Sequence, residues 1–303
     1  MDALRFEDVT KTFDGHTAVD RLSLAVPRGS IYGFIGPNGS GKTTTLRMLL
    51  HILLPDHGHI EALGTTRLAE MRDRIGYMPE ERGLYKRMTV SATLDYFGRL
   101  KGRKRAELAP RAKAWLERFE LADVATRKVE TLSKGMAQKL QLAATLVAEP
   151  ELLVLDEPLT GLDPVNVDLL AEVLVELRDR GTTILLSTHD MNAAERLCDR
   201  VLMIFRGRKV LDGTPDEIRG GHATGWVRVD VDLSDPELAA LPGVVAVEPG
   251  GSLRKVEIRG EPAEFARLLV SRSRLHHFER VRPSLHDVFV TVARSQPESP
   301  LDA

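Results

Sequence analysis

The sequence predicts an α/β fold: a mostly parallel sheet flanked by helices, interrupted by a helical subdomain and followed by a small α+β domain. Three observations predict it. Short, almost wholly apolar runs alternate with stretches of helical spacing, as successive βα units do. One of those runs ends in a glycine-rich loop that leads straight into a helix. From Val90 to about Val147 the strand signals vanish, and apolar residues recur only at helical intervals.

Taken in order, Leu4 to Val9, Leu22 to Val26 and Ile31 to Ile35 read as strands, the last buried because it is apolar almost throughout. Lys11 to His16, between the first two, reads as a turn carrying an aromatic, Phe13. That ring is either a solvent-side anchor or a platform for a nucleotide base, in which case Val19 flanks the base. Gly36-Pro37-Asn38-Gly39-Ser40-Gly41-Lys42-Thr43-Thr44 follows the third strand and runs into Thr45 to Leu50. Glycines let the backbone turn tightly enough for successive N–H groups of Asn38 to Thr44 to surround a phosphate. The helix that begins there aims its positive end at the same anion. In this P-loop reading Lys42 reaches the β- and γ-phosphates of a nucleoside triphosphate and the Thr43 hydroxyl binds Mg²⁺.

Leu54 to His59 breaks the pattern, Arg74 to Pro79 resembles a short strand ending at proline, and Glu80 to Tyr85 follows as a loop. The helical subdomain, about residues 86–148, carries Leu94, Phe97 and Leu100, then Trp115, Leu116 and Phe119, then Leu140, Leu142 and Leu146 at helical spacing. Pro110 is expected to begin or kink its second helix. The core resumes with the buried strand Glu151 to Pro158, a helix from Pro164 to Arg180 stopped by Gly181, and the strand Thr183 to Ser187. Gly220 to Gly225 reads as a linker, so the organisation is a first domain over 1–220, a linker at 221–225 and a second domain over 226–293. Strands are expected at Trp226 to Val231, Val244 to Val247 and Lys255 to Ile258, and helices at Pro262 to Ser271 and Ser284 to Ala293. Ser284 and Asp287 have the spacing of a helix cap. The tail 294–303 is rich in proline, serine and acid and is expected to be disordered.

Four apolar residues followed by Asp156-Glu157 put two carboxylates at a strand end, where the ligands of parallel sheets collect. Asp156 is expected to hold Mg²⁺ through its water shell, and Glu157 to orient or deprotonate an attacking water. A kinase transferring to a bound acceptor does not need that second acid, whereas a hydrolase does. No Asn-Lys-x-Asp stretch of the guanine-specific kind occurs, so ATP is preferred. His189 follows the strand at 183–187. It is either a helix-start residue beside a capping Asp190 or, aimed by the strand end at the γ-phosphate, a donor that stabilises charge.

Composition bounds the partners. With 42 Lys and Arg against 44 Asp and Glu there is no basic surplus of a dedicated nucleic-acid binder. The single cysteine, Cys198, cannot form an internal disulfide and sits in an apolar pattern, so a buried thiol in a reducing cytosol is expected. Met1 to Asp8 lacks the basic end and apolar core of a secretory signal, and no apolar run approaches the roughly 18 residues that span a bilayer.

Over about residues 4–215 the sequence resembles the ATPase subunits of ATP-binding cassette (ABC) transporters. The resemblance rests on the joint order of the loop at 36–44, Leu132-Ser133-Lys134-Gly135-Met136 at the signature site, Leu152 to Glu157, Thr160-Gly161-Leu162-Asp163 at the D-loop, and His189 at the switch histidine. It implies ATP and Mg²⁺ as cofactors, Phe13 as the adenine-stacking aromatic, and Ser133 and Gly135 as ligands of the γ-phosphate held by an opposite protomer. Two chains would then sandwich two ATP molecules head to tail, with Asp163 tuning the interface. Ser133 begins a helix through Leu146, an anion site with no phosphate of its own. The signature departs from the family at Lys134 and Met136, and Glu80 stands where a glutamine usually touches Mg²⁺ and water. Both departures, with Pro283 to Phe289, resemble the ABC-2 branch of bacterial sodium, drug and antibiotic exporters. The resemblance implies an ATP-hydrolysing subunit, cytoplasmic and peripheral at the inner face of the membrane, that powers export through a separate membrane subunit. The alternative is a soluble ABC ATPase acting on ribosomes or DNA. Residues 226–293 are read as a dimer clamp or a regulator.

Overall fold

The apolar alternation near the start builds strands longer than the pattern suggested. In the computed structural model, which describes residues 2–81, 83–221, 225–248 and 250–295, Asp2–Phe13 (β1) and His16–Pro27 (β2) form one antiparallel hairpin with Phe13 opposite His16. The turn is only Asp14 and Gly15, both at positive φ, the two-residue connection whose twist matches the strands. Phe13 is therefore the last residue of a strand and not part of the turn. The apparent break at Leu54 to His59 hides a third strand, His57–Ala62 (β4), paired to the other edge of β1. Gly58 lies where β1 bulges, at φ 77°, and a Cβ there would fall on the Asp8 backbone, so the glycine marks close strand approach rather than a loop.

Behind this three-stranded sheet lies a six-stranded one in the order β5-β6-β7-β3-β8-β9. Ile31–Ile35 (β3), Ile75–Met78 (β5), Leu152–Asp156 (β6), Thr183–Thr188 (β7) and Arg200–Phe205 (β8) run parallel, and Arg208–Gly213 (β9) returns antiparallel along β8. Both faces of β3, β6 and β7 are buried, which is why they read as unbroken apolar runs. Phe6, Leu22, Tyr32, Phe34, Leu46 and Leu202 share the core between the two sheets. The β8–β9 hairpin, on the far side of the sheet, was not anticipated. Cys198 is buried, with its sulfur packed against Gly33, and burial pushes its thiol well above the usual range.

The helices on this frame are Lys42–Leu49 (α1), Val90–Leu100 (α2), Arg105–Arg118 (α3), Lys134–Leu146 (α4), Pro164–Asp179 (α5) and Met191–Leu197 (α6). Helices α2, α3 and α4 form the helical subdomain, and Arg118 reaches from α3 to Glu172 (3.1 Å) and Glu176 (2.7 Å) on α5. Pro110 lies inside α3, five residues after its start, so it does not begin the helix; only the bond to the Ala106 carbonyl is forgone. Leu100 is 58% exposed, because the inward stripe from Leu94 continues through Gly98 and a position at i+6 has rotated off it. Gly98 packs so closely on buried Leu108 that a Cβ has no room. Gly98→Ala is expected to cost about 1–3 kcal/mol of overpacking, read as a lowered midpoint in urea unfolding.

The chain divides into two compact units, Met1–Pro215 and Asp216–Ala303. A helix, Pro215–Gly221 (α7), includes Gly220 and Gly221, and of the expected linker residues 222–224 lie outside the described ones. The second unit is a four-stranded antiparallel sheet in the order β11-β12-β10-β13, made by Trp226–Val231 (β10), Val244–Glu248 (β11), Arg254–Ile258 (β12) and Leu275–Arg280 (β13). Asp235–Ala239 (α8) and Pro262–Arg272 (α9) bury Leu238, Phe265 and Leu269 against Val227, Val229 and Val256. Leu285–Ser295 (α10) ends the described chain, two residues into the stretch expected to be disordered; residues 296–303 lie outside the described ones. Its cap forms as the spacing predicts, Asp287 accepting from the Ser284 N–H (2.9 Å) and hydroxyl (2.7 Å).

Candidate functional site

Strand β3 delivers the glycine-rich loop to the carboxyl edge of the parallel sheet, and α1 starts inside it. Gly41 is the residue before the helix, at φ 108°, and a Cβ there would lie 2.5 Å from the Ala18 carbonyl. Only glycine fits that place. Among the described residues no side chain caps α1, which leaves its first N–H groups available, the condition for anion binding at a helix start. Lys42 is buried, and its ammonium donates to the carbonyls of Gly36 (2.7 Å) and Pro37 (3.2 Å). Burial pushes it below the usual lysine range, opposed by Glu157, 3.8 Å away, and by Asp156 and Glu80.

The neighbouring strands supply the acids. Asp156 ends β6 and accepts from the Thr43 hydroxyl through Oδ2 (3.3 Å), while among the described residues Oδ1 is buried without a hydrogen-bond partner. Burial raises its pKa, with Glu80 and Glu157 adding to the effect. Glu157 follows with φ 50°, a left-handed backbone uncommon for a glutamate, and its N–H donates to the Ser187 carbonyl (2.9 Å). Its two oxygens differ. Oε2 lies 2.9 Å from Nδ1 of His189, at the end of β7, and accepts from the hydroxyls of Thr160 (3.3 Å) and Thr188 (3.4 Å). Oε1 is buried without a hydrogen-bond partner among the described residues. Asp190 caps α6 by accepting from the N–H groups of Asn192 and Ala193, which fixes the backbone beside His189.

Asn38, Gly39, Gly41, Lys42, Thr43, Thr44, Glu80, Asp156 and Glu157 thus line one cleft of about 240 Å³, with His189 joined to it through Glu157. Ser40 is set deeper; its N–H donates to the Pro37 carbonyl (3.2 Å) and its hydroxyl is buried without a partner among the described residues. Ala18, which the sequence did not single out, lines the cleft, and Val19 is wholly buried beneath it, too deep to touch a base. Phe13 stands 40% exposed with the Lys11 ammonium 5.4 Å from its ring. Ser133 and Gly135 do not line the cleft. Ser133 caps α4, accepting from the Met136 N–H (3.2 Å), and the Lys134 ammonium lies over Gly161.

The donor set fits a magnesium ion: hard oxygens from Thr43, Asp156 and Glu80, one of them a buried orphan, beside a lysine suited to phosphate. A buried carboxylate whose pKa is raised costs stability when ionised. Asp156→Asn is accordingly expected to raise the melting temperature of the nucleotide-free protein while abolishing Mg²⁺-dependent hydrolysis, measured by thermal unfolding and phosphate release.

Comparison with known proteins agrees with this geometry. Residues 19–160 match the family described as ABC transporter, and residues 213–293 match the C-terminal domain of DrrA1-3-like ATP-binding proteins. The uncharacterized ABC transporter ATP-binding protein YhaQ of Bacillus subtilis is 39% identical over 95% of this chain and 97% of its own length. The Nod factor export ATP-binding protein I of Ralstonia nicotianae is 39% identical over 95% of this chain and 92% of its own. A solved ATP-binding subunit of an ABC transporter superposes with a TM-score of 0.68 at 32% identity, covering 73% of this chain and 93% of that one.

Proposed function

The chain belongs to the ATP-binding proteins of the ABC transporter family, which hydrolyse ATP to power transport, and on that premise we propose that it drives export through a separate membrane subunit. The observation that carries the catalytic part is the asymmetry of Glu157. One oxygen is anchored by His189, Thr160 and Thr188, and the other, 3.8 Å from the Lys42 ammonium in the cleft, has no hydrogen-bond partner among the described residues. A carboxylate anchored through one oxygen, with the other open to a hydrogen bond, is oriented to take a proton from water. Lys42 exchanges the Gly36 and Pro37 carbonyls for phosphate oxygens, and the α1 N–H groups and glycine loop hold the rest of the triphosphate. Bound Mg²⁺, held through Thr43, Asp156 and Glu80, supplies charge neutralisation on the phosphates. His189 keeps Glu157 in place and stabilises charge near the γ-phosphate by N–H donation.

The cleft is half a site. Ser133 and Gly135 lie outside it, at the start of α4, and are proposed to meet the γ-phosphate in a second copy arranged head to tail, with Asp163 at the interface and residues 226–293 as a clamp on the dimer. Phe13, exposed at the tip of the first hairpin, is proposed to stack on adenine. Among the described residues no helix is long and apolar enough to cross a membrane; the chain is proposed to sit peripherally at the cytoplasmic face, against the membrane subunit. Relatives named for transport and export favour this reading over action on ribosomes or DNA. Purification of the tagged chain from detergent-solubilised cells is expected to bring down an integral-membrane protein; recovery with ribosomes or DNA instead would overturn the export reading.

A further inference from the structure

Two glutamines interrupt the buried side of α4. Gln138 donates from Nε2 to the Pro158 carbonyl (3.1 Å), in the segment that follows Glu157. Gln141, one turn on and 4% exposed, donates from its single Nε2 to the carbonyls of Pro79 (3.0 Å) and Glu81 (3.3 Å). Those two carbonyls bracket Glu80, which lines the nucleotide cleft but is itself exposed on a loop with no regular structure. A side-chain amide spanning residues i−1 and i+1 fixes the backbone at residue i, and so fixes where its carboxylate starts. The other amide atom, Oε1, is buried without a hydrogen-bond partner among the described residues. An apolar residue of the same length would avoid that desolvation cost, so a glutamine here is not explained by core packing.

We infer that Gln141 is a positioning residue that holds Glu80 at the rim of the cleft, and that α4 thereby ties its own start, at Ser133, to the loops carrying Glu80 and Glu157. The inference rests on the reading of the cleft as an Mg²⁺–ATP site.

The test uses the full chain with Gln141→Met, which keeps the length and removes the donor, and Gln141→Glu, which sets an acceptor against two carbonyls. Backbone hydrogen exchange of residues 76–81 without nucleotide is expected to speed up in both, while strands β3 and β6 keep wild-type protection. The Mg²⁺ concentration that half-saturates ATP hydrolysis is expected to rise by about 10–100-fold, as when a residue orienting a metal ligand is removed. In a Glu80→Ala background, Gln141→Met should add nothing further, because its effect passes through Glu80. Unchanged exchange at 76–81, exchange that rises equally across the whole core, or an additive effect in the Glu80→Ala background would each overturn the inference. A wild-type chain unable to hydrolyse ATP would count against the ATP reading instead, and the nucleotide-free exchange would still decide this one.

Discussion

Glu157→Gln is expected to slow ATP turnover by about 10²–10⁴-fold, the usual contribution of a positioned base, while ATP still binds. Glutamine keeps the shape of the side chain, and its carbonyl oxygen can still meet His189, Thr160 and Thr188 where Oε2 does now. What disappears is the second oxygen, the one without a hydrogen-bond partner among the described residues, and with it the capacity to accept a proton from water. Lys42 and the loop amides are untouched, so affinity should hold. Because hydrolysis is what reopens the proposed dimer, the variant should also accumulate as an ATP-bound pair. Phosphate release, equilibrium binding of a fluorescent ATP analogue and size-exclusion chromatography read the three effects separately. Turnover at the wild-type rate would remove Glu157 from its role as base; loss of ATP binding would show that the substitution had disturbed the cleft itself.

Lys42→Ala attacks the other half of the chemistry. Removing one partner of a buried charge pair costs about 2–5 kcal/mol, so losing the ammonium that is proposed to face the triphosphate should lower ATP affinity by roughly 30- to 5000-fold. Two causes act in one direction. The triphosphate loses its buried cation, and the carbonyls of Gly36 and Pro37, now held at 2.7 and 3.2 Å, lose the donor that shapes the loop before nucleotide arrives. Asp156 and Glu157 also lose their nearest buried counter-charge. Arginine is not expected to rescue, since its planar, wider head group does not fit a site that leaves Lys42 only 6% exposed. Titration calorimetry with Mg²⁺–ATP checks the affinity, and a melting temperature near wild type in the nucleotide-free state separates lost recognition from lost folding.

The residues brought together at the cleft were legible because each sits where a short, wholly apolar run stops. Buried parallel strands announce themselves by composition, and whatever polar residue follows one is carried to the same edge: Lys42 after β3, Asp156 and Glu157 after β6, His189 after β7. The first sheet was less legible, since its strands carry polar residues on an exposed face and a glycine inside β4 mimics a break. Val19 was misread for a related reason. In a strand, neighbours point to opposite faces, so a shift of one residue exchanges a buried valine for the Ala18 that lines the cleft. Gln141 carried a visible signal that went unused: a large amide between Leu140 and Leu142 on an otherwise buried helix needs partners, though only the fold shows that they flank Glu80.

The burial of Cys198 against Gly33 has a practical side. A thiol that is enclosed and held protonated offers almost no thiolate to maleimides, disulfide reagents or mild oxidants. The natural chain is thus a nearly silent background for thiol chemistry, and a cysteine introduced at Ser133 or at Asn38 would be the one that reacts. Cross-links and paired spin labels between two copies can be placed without first removing a native cysteine and disturbing the sheet beneath the loop.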